Sequence, residues 1–224
     1  DVPYREAFAY FTAAYELVLG LATLWRRTAR SAALLLTLLY AVFALLWVIQ
    51  IFAVPGVYDS WGNFFEELSL LMGGAVAFAL LAPPDSPWAG RTAIFIRLYG
   101  VCVISFGLVH FIYFANAASW VPRWVPPGQK FWIAATGTFF FMAAGAILSG
   151  VMAGLASRLL ALMIVCFEIL VWVPRLMTSP HDHFNWSGNA ICIAMAAAAW
   201  VVSDSINQLG PSYESLRFRP ASAA

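Results

Sequence analysis

Residues 33–61 read ALLLTLLYAVFALLWVIQIFAVPGVYDSW, and residues 158–186 read RLLALMIVCFEILVWVPRLMTSPHDHFNW. Set 125 positions apart without a gap, the two stretches bring Leu34 onto Leu159, Leu35 onto Leu160, Leu45 onto Leu170, Trp47 onto Trp172 and Val48 onto Val173. Pro55 then meets Pro180, and Trp61 meets Trp186. The same offset carries Gly20 onto Gly145 outside the quoted stretches. Two tryptophans and a proline at one fixed spacing are hard to obtain by chance, even in an apolar chain. Residues of roughly 8–82 and 133–207 therefore read as two copies of one unit. Parallel and inverted repeats are a recurrent construction in membrane proteins.

Composition supplies the solvent. Of the 224 residues, 62% are hydrophobic and 10% are charged, and the mean hydropathy is +0.81. A soluble domain carries about 25% charged residues, so this chain lacks the polar groups to cover a water-facing surface, and its solvent is lipid. The net charge of +1 provides no basic field, which excludes nucleic acid as a partner. Cys102, Cys166 and Cys192 each sit inside an apolar run, and no CxxC occurs, which argues against thiol–disulfide chemistry.

Apolar runs of about 20 residues predict seven membrane-spanning helices, over roughly 7–25, 31–53, 64–82, 91–115, 131–150, 155–174 and 189–207. Proline, glycine and charged residues punctuate them, at Arg26-Arg27, Pro55-Gly56, Pro83-Pro84-Asp85, Pro126-Pro127-Gly128 and Pro180-His181-Asp182. In the second copy the helix over 91–115 precedes the repeated part. Its counterpart would lie upstream of Asp1, and Asp1-Val2-Pro3 matches the loop before the helix over 131–150. The expected fold is thus an all-α, polytopic transmembrane helical bundle of two tandem four-helix-type units. The first, over 1–85, lacks its N-terminal helix; the second covers 86–210; a polar tail covers 211–224. A helix cleaved, truncated or not included accounts for the gap, and a seven-span protein that never had it is the alternative.

Of the 12 basic side chains, Arg26, Arg27, Arg30, Arg91, Arg97, Arg158, Arg217 and Arg219 fall on one side, called B; Arg5, Arg123, Lys130 and Arg175 fall on the other, A. The excess places side B in the cytoplasm and side A in the periplasm or exterior. The C-terminus is then cytoplasmic and the N-terminus periplasmic, as in a bacterial inner-membrane protein. Trp61, Trp120, Trp124 and Trp186 line side A as an interfacial aromatic belt.

An ionisable group inside a span is costly and marks a functional candidate. Glu16, Glu66, Glu67, His110 and Glu168 qualify, and none recurs in the other copy: Glu16 aligns with Phe141, Glu168 with Phe43 and Glu67 with Cys192. Glu168, Trp172 and Arg175 are spaced i, i+4, i+7 and so share a helix face. The plainer reading is a buried acid satisfied by a neighbouring helix, with Arg175 snorkelling to the interface. His110 shares a face with Phe106 and Tyr113; its plainer reading is a neutral imidazole bonded to a backbone carbonyl. His181-Asp182-His183 could chelate a divalent ion with Asp182 as supporting or third ligand, although two histidines do not complete a site and a solvated loop explains them as well. Helix polarity brings His110, Arg123, Arg175, His181, Asp182, His183 and Asn185 toward one side-A mouth, with Glu168 below. A few convergent polar groups over an aromatic cavity describe a small-molecule site of quinone or lipid size.

The second half carries further landmarks. Arg97 opens a helix ending in His110-Phe111; Trp120-Val121-Pro122 and Trp124-Val125-Pro126 follow; then come Thr136-Gly137 near a helix start, Arg158 in a short turn and a histidine-containing loop before the last helix. This pattern resembles the DoxX-like family of small four-helix membrane proteins over roughly residues 91–207, and the first half is similar without the His-Phe helix. The resemblance implies a membrane-redox context such as thiosulfate:quinone oxidoreductase, with a quinone as the associated cofactor.

Three functions follow. One is a non-catalytic subunit or accessory protein of a larger membrane complex that packs against other membrane subunits or binds membrane lipid. Another is a membrane subunit of a quinone-linked oxidoreductase, with His110 and Glu168 as its catalytic candidates for proton handling and electrons supplied by a partner. The third is a transporter, disfavoured because Pro174 lies at a helix end and Gly73-Gly74 is the one mid-span glycine pair.

Overall fold

Long apolar runs in lipid must satisfy every backbone group within the segment, and helices are the open-chain solution. The computed structural model describes residues 4–210 and Tyr213, without the Arg5 side chain, and the described residues form helices with no strand among them. In chain order the helices are α1 (Arg5–Ala22), α2 (Ala29–Ala53), α3 (Tyr58–Leu80), α4 (Thr92–Ile112), α5 (Phe114–Trp120), α6 (Gln129–Ser149), α7 (Ala153–Phe167), α8 (Val173–Thr178) and α9 (His183–Leu209). A π-helical turn, Glu168–Trp172, joins α7 to α8.

Six of these, counting α7 to α8 as one, are long and apolar enough to cross a membrane. The expected first span is realised as the 18-residue α1, which carries Glu6 and Glu16 and is not among the six. Asp1, Val2 and Pro3, and the tail from Pro211 apart from Tyr213, lie outside the described residues, as do Arg217 and Arg219.

α4, α6, α7 and α9 close a four-helix ring, and α3 docks on it through both α4 and α9. α2 lies outside α3, and α1 packs chiefly on α2. The core follows: Val76, Ile96, Val103, Ile147 and Val202 are fully buried where α3, α4, α6 and α9 meet. α1 and α2 instead turn Phe11, Leu17, Val18, Leu45, Ile49 and Phe52 outward. In water such a surface would drive association; in lipid it is simply solvated.

Some helix bounds and contacts are spaced by the same 125-residue offset. Shifted by it, α2 covers 154–178 against Ala153–Thr178, and α3 begins at His183, where α9 begins. The indole of Trp61 donates to the Pro55 carbonyl at 3.1 Å, and that of Trp186 donates to the Pro180 carbonyl at 2.8 Å. Trp132 repeats the device with Pro126 at 2.9 Å, so each of these helices is entered through a proline carbonyl held by an indole six residues on. α3 and α9 cross at Gly73 and Ala198, which the offset also pairs: a Cβ built on Gly73 would stand 2.6 Å from the Ala198 Cβ.

Four boundaries differ from the sequence expectation: the third span begins at Tyr58 rather than 64, the last begins at His183 rather than 189, and the fourth and sixth spans end elsewhere. The fourth span ends at Ile112 rather than 115; Tyr113 breaks it, and its hydroxyl accepts from the Asp59 backbone N–H at 3.0 Å. The sixth span runs on to Thr178, so Pro174 lies inside it and not at its end. Proline has no N–H and its ring crowds the carbonyl four residues back. The chain accommodates this by widening one turn, with the Val173 N–H reaching the Glu168 carbonyl.

Candidate functional site

The widened turn packs against α9, and two asparagines of that helix donate to the backbone around it. The Asn189 amide donates to the Trp172 carbonyl at 3.2 Å and to the Asn185 carbonyl at 2.7 Å. Asn185 donates one turn up, to Arg175 O at 3.2 Å and Ser179 O at 3.1 Å, beside the Ser179 and Asp182 N–H groups that these carbonyls already accept from. Both asparagines are buried. Asn185 was legible as a polar mouth residue; Asn189 was missed, though its i+4 spacing from Asn185 marks the same helix face.

Aromatic rings occupy the mouth itself. Trp172 meets Trp120 edge-on at 5.3 Å and Phe184 at 5.7 Å, and Trp120 meets Phe184 at 6.0 Å. The Arg175 guanidinium stacks over Trp120 at 4.0 Å. Trp172 also lies directly on Gly188, where no side chain would fit. These rings pack on one another at the place where the sequence reading put a lipid- or quinone-sized pocket. An open cleft of about 360 Å³ lies instead at the opposite end of the bundle, lined by Gly150, Met152, Gly154, Ile206 and Asn207.

The remaining mouth residues separate. His181 and His183 are exposed, and Arg123 is exposed on its loop. Asp182 is the N-cap of α9, its carboxylate accepting from the Phe184 N–H at 3.0 Å, which gives it a helix-starting role. Among the described residues no three His, Cys, Asp or Glu side chains stand close enough to hold a metal ion.

His110 is half-buried inside the four-helix ring. Its Nδ1 lies 2.7 Å from the Phe106 carbonyl, one turn back on its own helix. Its ring meets Phe140 at 5.0 Å and stacks on Phe167 at 6.2 Å, while Phe106 meets Phe140 at 5.6 Å. Gly137 explains two sequence landmarks at once: a Cβ there would stand 2.9 Å from the His110 Cβ and 2.7 Å from the Phe111 ring. The His-Phe and Thr-Gly pairs are therefore two sides of one α4–α6 contact.

The carboxyls form a separate layer. Glu16 of α1 lies beside the Tyr40 hydroxyl of α2, and both lie within electrostatic reach of Glu67 on α3. Glu66 adjoins Glu67 and acts on Cys192 of α9, whose thiol lies beside the Glu168 carboxyl. Glu67 Oε2 and Glu168 Oε2 are buried without a hydrogen-bond partner. Among the described residues, Tyr40 acts on Glu16, and Glu66 and Glu16 act on Glu67. A carboxyl at such depth is stable only when protonated or met by a donor or cation. Tyr40 and Cys192 were not legible as partners of these acids, because the pairs Tyr40–Glu16 and Cys192–Glu168 join helices far apart in sequence.

Comparison with family models, with curated proteins and with solved structures returns no match for this chain. The likeness to the DoxX-like family therefore stands on the sequence landmarks alone.

Proposed function

We propose that this chain is a packing subunit of a larger membrane complex, built from two tandem four-helix-type units of DoxX-like pattern. We place it in a bacterial inner membrane, with its C-terminal end cytoplasmic. One observation carries the reading: the polar residues gathered at the mouth already have structural work. Asn185 and Asn189 donate to backbone carbonyls, Asp182 starts a helix, Arg175 covers an indole and His110 binds its own helix.

Native mass spectrometry on complexes extracted gently from their own membranes tests this. The expected result is recovery with other membrane subunits in fixed stoichiometry. Recovery of the chain alone, or in variable substoichiometric amounts, refutes it.

A quinone-linked oxidoreductase is the second reading, favoured by the aromatic mouth above Glu168 and Cys192. It predicts co-purifying quinone and loss of quinone reduction in His110→Ala and Glu168→Gln; unchanged turnover in both variants eliminates it.

A further inference from the structure

We infer that the end of the bundle opposite the aromatic mouth holds the headgroup phosphate of an anionic phospholipid, clamped between Arg30 of α2 and Arg91 at the entry to α4. This site is independent of the reading of the chain as a packing subunit.

α2 begins, α3 ends and α4 begins at this end of the molecule. Arg30 is the second residue of its apolar span, Arg91 the third of its own, and Phe78 stands third from the end of α3. That is the level at which hydrocarbon gives way to headgroups. The Arg30 guanidinium lies over the Phe78 ring at 4.8 Å, and the Arg91 guanidinium lies over the Trp88 ring at 4.9 Å. Phe78 and Trp88 in turn meet edge-on at 5.8 Å. Two like charges are thus held on one aromatic pair.

An excess of arginine on one side sets topology and needs no ligand. Arg26, Arg27 and Arg158, exposed at the same end, are explained in that way. Arg30 and Arg91 differ because ring contacts fix them. A guanidinium over a ring uses its face, while its N–H donors lie in its plane and stay available to an acceptor. Arg30 Nε is buried without a hydrogen-bond partner, so one acceptor is missing there. Arg97 and Arg175 bury an unpartnered Nε as well, but Arg97 has the Tyr213 hydroxyl beside it and Arg175 belongs to the opposite mouth. Among the described residues the acids at this end are Asp85, exposed between α3 and α4, and Asp204 on α9. They are fewer than the arginines, which leaves positive charge for an anion from outside.

The surroundings favour a lipid over a free phosphate. One turn inward, Leu34 follows Arg30 and Ile94 follows Arg91, both exposed, and Leu38 and Leu98 are exposed a turn further on. A phosphate at the clamp therefore has apolar side chains below it for acyl chains. Guanidinium forks match phosphate oxygens in pairs, and basic pockets between helices at a membrane surface are a recurrent setting for acidic headgroups. A pair of cations repels a choline ammonium, so a net-negative headgroup is selected over a zwitterionic one.

The test follows lipid binding to the detergent-purified full chain by native mass spectrometry at constant ionic strength. The probes are dioleoyl-phosphatidylglycerol, dioleoyl-phosphatidylcholine and inorganic phosphate. The expected result is a preference of about tenfold or more for phosphatidylglycerol, falling to within about twofold in the Arg30→Ala/Arg91→Ala pair, because each arginine at a membrane surface is worth roughly fivefold. Arg158→Ala, at the same end on α7, should keep the preference. Equal binding of the two lipids, a loss in Arg158→Ala as large as in the pair, or displacement of phosphatidylglycerol by millimolar inorganic phosphate each overturn the inference. Arg91 is exposed, so Arg91→Ala alone decides the matter if the pair fails to fold. Its preference should fall about fivefold, and an unchanged preference overturns the clamp.

Discussion

Gly188→Ala is the sharpest single perturbation of this molecule. A Cβ at position 188 falls inside the Trp172 ring, so the indole must move. It has little room, because Trp120 stands against it at 5.3 Å and Phe184 at 5.7 Å. Overpacking of a filled core costs about 1–3 kcal/mol, and each displaced aromatic pair adds about 0.5–1.5 kcal/mol. Moving Trp172 also strains the chain whose carbonyl Asn189 holds. The expected loss is about 2–4 kcal/mol, read as a fall of on the order of 5–10 °C in the thermal midpoint of the detergent-purified protein. Trp172→Leu removes the obstacle, so the double variant should recover at least about 1 kcal/mol over the sum of the two singles. A Gly188→Ala protein within about 0.5 kcal/mol of the parent, or strict additivity with Trp172→Leu, would refute the packing argument.

Two further outcomes follow from the same geometry. Gly73→Ile should separate α3 from α9, because Ala198 presents its Cβ at 2.6 Å and its backbone Cα at 3.1 Å, and backbone cannot step aside as a side chain can; the cost exceeds about 3 kcal/mol, and monodisperse protein on size exclusion would contradict it. Asp182→Ala should cost about 1 kcal/mol through the lost N-cap, Asp182→Asn only a few tenths, and chelators should leave the unfolding midpoint of both unchanged; a chelator-sensitive midpoint in the parent would restore a metal to this loop.

The carboxyl layer shows where sequence reading stops. Glu16, Glu67 and Glu168 stood out because an acid inside an apolar run is conspicuous at any position. That Glu16 meets Tyr40, and Glu168 meets Cys192, depends on which helix faces turn toward each other. Periodicity gives little help, since helices in lipid are apolar on all sides. The same ambiguity merged the mouth residues into one expected pocket. In the structure they divide among an aromatic stack, one backbone-bonding asparagine and an exposed histidine segment.

The sequence by itself determined the apolar solvent, the helical class and most helix ends. Those properties are local: hydropathy over one helix length selects the solvent, and proline and glycine punctuate the chain wherever it folds. Only the tertiary structure decided that Pro174 sits within a span and widens it by a π turn, that Asn189 donates to the Trp172 carbonyl there, and that Gly73 meets Ala198. Each of these requires a second helix at a defined height and rotation, and close packing between helices, not the composition of either, sets that height and rotation.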